Sequence, residues 1–151
     1  MRRTLKFLHT LGAVGMMGAM AALLAALTLV PAGASGLGDA GVARMLGAVA
    51  GWVLLPSLAL TLLAGVLAIA ATPAFHDVGW VWVKAATGVL VFEGGLMAVV
   101  GPLQAAAKSG AASLTAHALA AERHSLWLLL AVALANVALG VWRPRFSRSV
   151  L

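Results

Sequence analysis

Apolar residues dominate this chain in four long runs, and the polar positions gather between the runs and at their ends. The runs cover about 5–30, 45–71, 79–100 and 124–142. Each reaches the roughly 20 residues that an α-helix needs to cross the hydrocarbon core of a bilayer. The breaks carry turn chemistry. Pro31 to Gly41 is rich in Gly, Ala and Ser and reads as a loop. Thr72-Pro73 is expected to end the second run and Gly101-Pro102 the third. The connection from Leu103 to Arg123 is the longest. Its Ala-rich part, 105–121, predicts a helix that either lies on the outer surface or extends the fourth span. Pro56 falls inside the second run, where it removes a backbone hydrogen bond and predicts a kink.

Composition says which solvent these helices face. Of 151 residues, 63% are hydrophobic and only 9% are charged. A soluble domain carries roughly a quarter charged residues, and no soluble core of this length hides so much apolar surface. The expectation is therefore an all-α fold, a transmembrane four-helix bundle, with residues 1–151 as a single integral membrane domain.

The formal net charge of +6 changes the picture only in orientation. The basic residues sit at the ends of the apolar runs, with no basic face and no aromatic platform between them, so nucleic acid is not an expected partner. With the N-terminus inside, Arg2, Arg3, Lys6, Lys84, Arg143, Arg145 and Arg148 are inside, and Arg44, Lys108 and Arg123 are outside. The positive-inside rule then predicts both ends in the cytoplasm. Trp80, Trp82, Trp127 and Trp142 fall near span ends, where amphipathic rings prefer the interface. Arg2, Arg3 and the Ala32-Gly33-Ala34 stretch also resemble the parts of a signal peptide. The apolar run between them exceeds the roughly 7–15 residues of a signal h-region, so a retained anchor is expected. There is no cysteine, which excludes disulfides and thiolate chemistry.

Polar groups inside a membrane are costly, and each requires an account. His9 lies one turn into the first span. A neutral imidazole there is a candidate haem or metal ligand, or else an interfacial histidine bonded to a carbonyl or to headgroups. Lys84 lies about one turn into the third span at a similar depth. It either snorkels to headgroups or pairs with an anionic cofactor, and a site shared with His9 is geometrically open. Glu93 lies near the bilayer middle on the face opposite Lys84. A hydrogen bond to Asn136 of the fourth span is its expected partner, acting as interhelical glue, with a proton relay as the sharper reading. Met16, Met17 and Met20 read as packing before they read as copper ligands. His117 and His124 share a helix face about 10 Å apart, too far to chelate one ion unaided. Gly12, Gly15, Gly18, Ala22 and Ala26 form a small-residue face. It predicts close helix packing within the chain, with a homo-oligomer or a membrane-complex partner as the alternative.

Three segments in order resemble a superfamily of small bacterial inner-membrane proteins. They are Leu5-Lys6-Phe7-Leu8-His9, the Pro56 to Gly65 stretch of the second span, and Gly79-Trp80-Val81-Trp82-Val83-Lys84. The superfamily includes the HemJ-type protoporphyrinogen oxidases, the membrane domain of copper-resistance protein D, and an uncharacterised integral-membrane family of similar size. The resemblance implies a four-helix bundle and, in the oxidase branch, b-type haem with His9 and Lys84 essential. This chain departs from the oxidases late in the first span, at Gly18 to Leu24, and at Phe92-Glu93-Gly94-Gly95, where they carry further polar residues including histidine. A second axial ligand is not evident, the oxidase activity is not carried over, and of the three branches the chain most resembles the uncharacterised one. The expected function is a non-enzymatic assembly, transport-accessory or structural role in a bacterial inner membrane. The alternative is a b-type haem- or metal-binding redox protein with a ligand from His9.

Overall fold

The computed structural model describes residues 2–29, 37–109 and 116–142. Within them the chain is helical throughout apart from one short connection, and no strand occurs among the described residues. Six α-helical segments build four long helices. The first is α1 (Arg2–Leu29). The second joins α2 (Leu37–Val49) to α3 (Leu55–Ala70) through a π-helical turn at Ala50–Leu54. The third joins α4 (Gly79–Gly95) to α5 (Gly101–Ser109) through a second π-helical turn at Leu96–Val100. The fourth is α6 (Ala116–Trp142). All four are long and apolar enough to cross a membrane.

The two π turns have the same cause. Proline lacks an N–H, and its ring collides with the carbonyl four residues back. For Pro56 that carbonyl belongs to Trp52, and for Pro102 it belongs to Ala98. Each is the middle residue of a π turn. The wider turn moves the carbonyl away and lets the helix run on through the proline. The break expected at Gly101-Pro102 is therefore not a break, and the third helix continues to Ser109. At Pro56 the expected distortion is present as the π turn.

The same continuation resolves the Ala-rich connection. Its first part prolongs the third helix and its last part begins the fourth at Ala116, well before His124. Likewise, the stretch read as a loop is already helical from Leu37. The Ala32-Gly33-Ala34 segment, Arg143, Arg145 and Arg148 lie outside the described residues.

The first helix is the hub. Its apolar window is 39% buried, against 17–22% for the other three. Met20, Leu23 and Leu27 of α1 are enclosed together with Leu46, Leu54, Leu58, Val99, Leu103 and Leu126 from the other helices. The remaining faces expose large apolar side chains, among them Leu11, Leu63, Leu90 and Leu128. That exposure is unfavourable in water and neutral in lipid.

Small residues set the helix spacing. A methyl group on Gly12 would lie 2.5 Å from Thr61 Oγ1 and 2.8 Å from Thr61 N, and one on Gly15 would lie 2.6 Å from Ser57 Oγ. These two glycines therefore press α1 against α3, which is the intramolecular packing expected of them. Ala26 packs against the core, whereas Gly18 and Ala22 face outward, and Gly18 has nothing within 4 Å. The small-residue face is thus divided rather than presented whole to a partner. At the other end of the bundle Gly47 and Gly51 play the same part for α2 and α5. A methyl group on Gly47 would lie 2.5 Å from Ala107 Cβ, and one on Gly51 would lie 2.6 Å from Gln104 Nε2.

Candidate functional site

The start of α1, the end of α3, the start of α4 and the end of α6 meet at one end of the bundle. Between them lies a cavity of about 470 Å³. Its wall is mostly apolar, with Leu58, Leu62, Val66, Ile69, Val91 and Val137 among its members. The polar groups on it are few: Lys6, His9, Thr61, Thr72, Lys84 and Asn136. Trp80 and Phe75 also line it and meet edge to face, with ring centroids 6.3 Å apart. A mostly apolar pocket of this size with a few convergent polar groups is the usual form of a small-molecule site.

His9 and Lys84 stand on this one cavity. His9 Nδ1 lies 2.8 Å from the carbonyl oxygen of Thr61. A carbonyl only accepts, so Nδ1 carries the proton and donates it. In the neutral ring Nε2 then holds the free lone pair. A backbone carbonyl fixing the tautomer in this way is the usual support of a metal-ligating histidine. Thr61 is itself tied down, its hydroxyl donating to Ser57 O at 2.7 Å. Gly65 leaves room for the ring: a methyl group there would lie 3.2 Å from Nδ1 and 3.3 Å from Cε1.

Lys84 is held from the fourth helix. Its ammonium donates to Asn136 O at 3.2 Å, and it rests where Gly140 has no side chain. Asn136 answers through Nδ2, which donates to Lys84 O at 3.3 Å and to Thr87 Oγ1 at 3.0 Å. Asn136 Oδ1 is buried with no hydrogen-bond partner among the described residues. Lys84 keeps two further N–H donors for a ligand.

These bonds correct the pairing expected for Asn136, whose partners are Lys84 and Thr87 and not Glu93. Helix depth explains the difference. At 1.5 Å per residue, Lys84 lies about 8 Å from the start of α4 and Asn136 about 9 Å from the end of α6. Glu93 lies about 21 Å from the same end. It is exposed on the outer surface of α4, its carboxyl makes no hydrogen bond to another described residue, and it is not on the cavity wall. The proton relay from Glu93 through Asn136 has no contact to run along.

Met16 and Met20 are buried in the core and Met17 packs against it. His117 and His124 are exposed. Among the described residues no three His, Cys, Asp or Glu side chains are grouped to hold a metal ion.

Two residues that matter here were not singled out by the sequence, Thr61 and Gly140, whereas Gly65 closes the second of the segments that carry the family resemblance. The available signal was weak, a Thr-x-x-x-Gly on the second span and a glycine one turn beyond Asn136. A third is Glu122, 8% exposed in α6, with Oε2 enclosed and without a hydrogen-bond partner among the described residues. No protein family, no curated protein and no solved structure matches the chain.

Proposed function

We propose that this protein is a multi-pass bacterial inner-membrane protein, both ends cytoplasmic, that binds an amphipathic anionic small molecule in the cavity at its cytoplasmic end. The function is one of holding and delivering the ligand, an assembly or transport-accessory role, and not of transforming a substrate. Its apolar body lies against the aliphatic wall, and its acidic groups lie toward Lys84 and Lys6.

A b-type haem is the ligand that the donor set fits best. The macrocycle itself supplies four of the iron's ligands, so a single histidine suffices where the described residues hold no metal-ligand cluster. Two lysines match two propionates. The ordered resemblance of the Lys6–His9 and Gly79–Lys84 segments to a superfamily whose oxidase branch binds haem supports the same reading. When bound, the haem supplies a one-electron redox centre. The protein's own residues hold and orient it: Thr61 O fixes the His9 tautomer, and Asn136 and Gly140 place the Lys84 ammonium.

The observation that carries the reading is the His9 Nδ1–Thr61 O bond on the wall of a 470 Å³ cavity that Lys84 also lines. The test is an absorption spectrum of detergent-purified protein from cells supplied with haem. A Soret band that is lost in His9→Ala and weakened in Lys84→Ala is expected. A colourless parent protein, or a band unchanged in His9→Ala, overturns it.

A further inference from the structure

Glu93 occupies a position that lipid alone does not suit. It is exposed on α4, and its carboxyl has no hydrogen-bond or ionic partner among the described residues. Along the helix it lies about 21 Å from Gly79 and about 24 Å from Ser109, so its short side chain reaches neither membrane interface. Its neighbours on that face, Ala86, Leu90 and Met97, are exposed and apolar, Leu90 at 60% and Met97 at 75%. Successive members of the series Ala86, Leu90, Glu93 and Met97 are three or four residues apart, which makes one continuous ridge. Ionisable side chains in membrane spans face a bundle interior, a wet cavity or one another, and not hydrocarbon. This face therefore belongs to an interface.

The chain itself says what fits there. Copies inserted in one membrane share one orientation. A two-fold axis along the membrane normal at this face then places Glu93 of one copy opposite Glu93 of the next at equal depth. A carboxyl group is an acceptor and, in its acid form, also a donor, so two of them satisfy each other with no further residue. The intramembrane cation Lys84 is not available for this, because it is turned to Asn136 and the cavity. Ala86 is small enough to let the two helices approach, and Leu90 and Met97 pack above and below the polar pair.

We propose that the Ala86–Leu90–Glu93–Met97 face of α4 seats a second copy of this chain, with the two Glu93 side chains hydrogen-bonded across a two-fold axis in the membrane. The dimer rests on the membrane-spanning assignment and is independent of any ligand in the cavity, which opens between other faces of the helices. The site is incomplete in one chain and complete in two.

The absence of cysteine from the chain makes the test direct. Single-cysteine variants Leu90→Cys, Met97→Cys and, as a control of similar exposure on α3, Leu63→Cys are oxidised in native membranes. A disulfide-linked species of twice the 15.2 kDa chain mass is expected from the first two and not from the control. In the Met97→Cys background, Glu93→Leu is expected to lower the dimerisation constant about tenfold, the size of one interhelical polar contact. Glu93→Gln, which keeps a donor and an acceptor, is expected to retain most of it. Three outcomes overturn the proposal: equal cross-linking from the control, no doubled species from either position, or cross-linking only to a different protein. Undiminished dimer in Glu93→Leu also overturns it. Glu93→Leu removes no hydrogen bond or ion pair among the described residues, so its thermal melting as a monomer is expected to match the parent and separates lost dimer from lost fold.

Discussion

His9 donates its Nδ1 proton to the carbonyl oxygen of Thr61, one helix away, at 2.8 Å. The bond joins α1 to α3 and leaves Nε2 as the ring's free nitrogen. A backbone acceptor cannot be deleted by a side-chain change at Thr61, but the ring can be displaced from it. Gly65→Ala places a methyl group 3.2–3.3 Å from Nδ1 and Cε1. That is tight enough to shift the ring by a few tenths of an ångström and not enough to separate the helices. Gly65→Ala is expected to weaken ligand retention about 10-fold, the lower end of what loss of a histidine's supporting bond costs. The measurement is ligand occupancy on titration, with thermal melting as the control for fold. Unchanged affinity would show that the Thr61 bond does not prepare His9 for a ligand.

Gly12 and Gly18 belong to one small-residue series in the sequence, but the fold treats them differently. A side chain on Gly12 meets Thr61 backbone nitrogen, which cannot rotate away, whereas one on Gly18 meets nothing within 4 Å. Gly12→Val is therefore expected to destabilise the bundle by about 2–4 kcal/mol through forced separation of α1 and α3. Gly18→Val is expected to change it by less than about 1 kcal/mol. Unfolding in mixed detergent micelles measures both. Equal effects would mean that α1 does not press on α3 as described.

The architecture was legible in the sequence because lipid imposes a length and a hydrophobicity on every span. Three of the four helices nonetheless run further than their apolar cores, all at the end remote from the cavity. Pro102 reads as a stop in one dimension, and only the π turn at Leu96–Val100 lets the helix pass it. The approach of His9 and Lys84 was also legible, since both lie about a turn into spans that begin at the same side. The partner of Asn136 was not. Its depth depends on where the fourth helix starts and ends, and placing the start at His124 moved Asn136 toward Glu93. Thr61, Gly65 and Gly140 act by where their helices touch, which no residue type announces.

Lys84 and Asn136 exchange hydrogen bonds through both backbone and side chain, with Thr87 as a third member. Asn136→Ala removes the Nδ2 donor, and Lys84→Met removes the ammonium at similar length. Each change removes a different hydrogen bond, because each bond ends on the other residue's backbone carbonyl, but both bonds hold one α4–α6 approach, so the two are expected to be coupled through that approach by about 0.5 kcal/mol or more in a double-mutant cycle. Thr87→Val is expected to cost less than Asn136→Ala, because it leaves the Asn136 bond to Lys84 O in place. Strict additivity of Lys84→Met and Asn136→Ala would show that the α4–α6 contact is not a coupled pair in the membrane.

Glu122 presents the opposite case from Lys84, a polar group enclosed without compensation. Its side chain is 8% exposed and Oε2 has no hydrogen-bond partner among the described residues, with Leu119 and Leu126 of the same helix turned into the core beside it. Covering a polar atom without a partner costs about 1–3 kcal/mol. An apolar side chain of similar length at such a site is often neutral or stabilising. Glu122→Met keeps the length and flexibility of the side chain and removes both oxygens. It is expected to raise the stability of the bundle by about 1–2 kcal/mol, seen as a higher melting temperature in detergent. Glu122→Ala, which leaves a void in place of the side chain, is expected to gain less than Glu122→Met or to lose stability outright. A melting temperature lowered by Glu122→Met and restored by Glu122→Gln would instead assign the carboxyl a hydrogen-bonding role in the membrane.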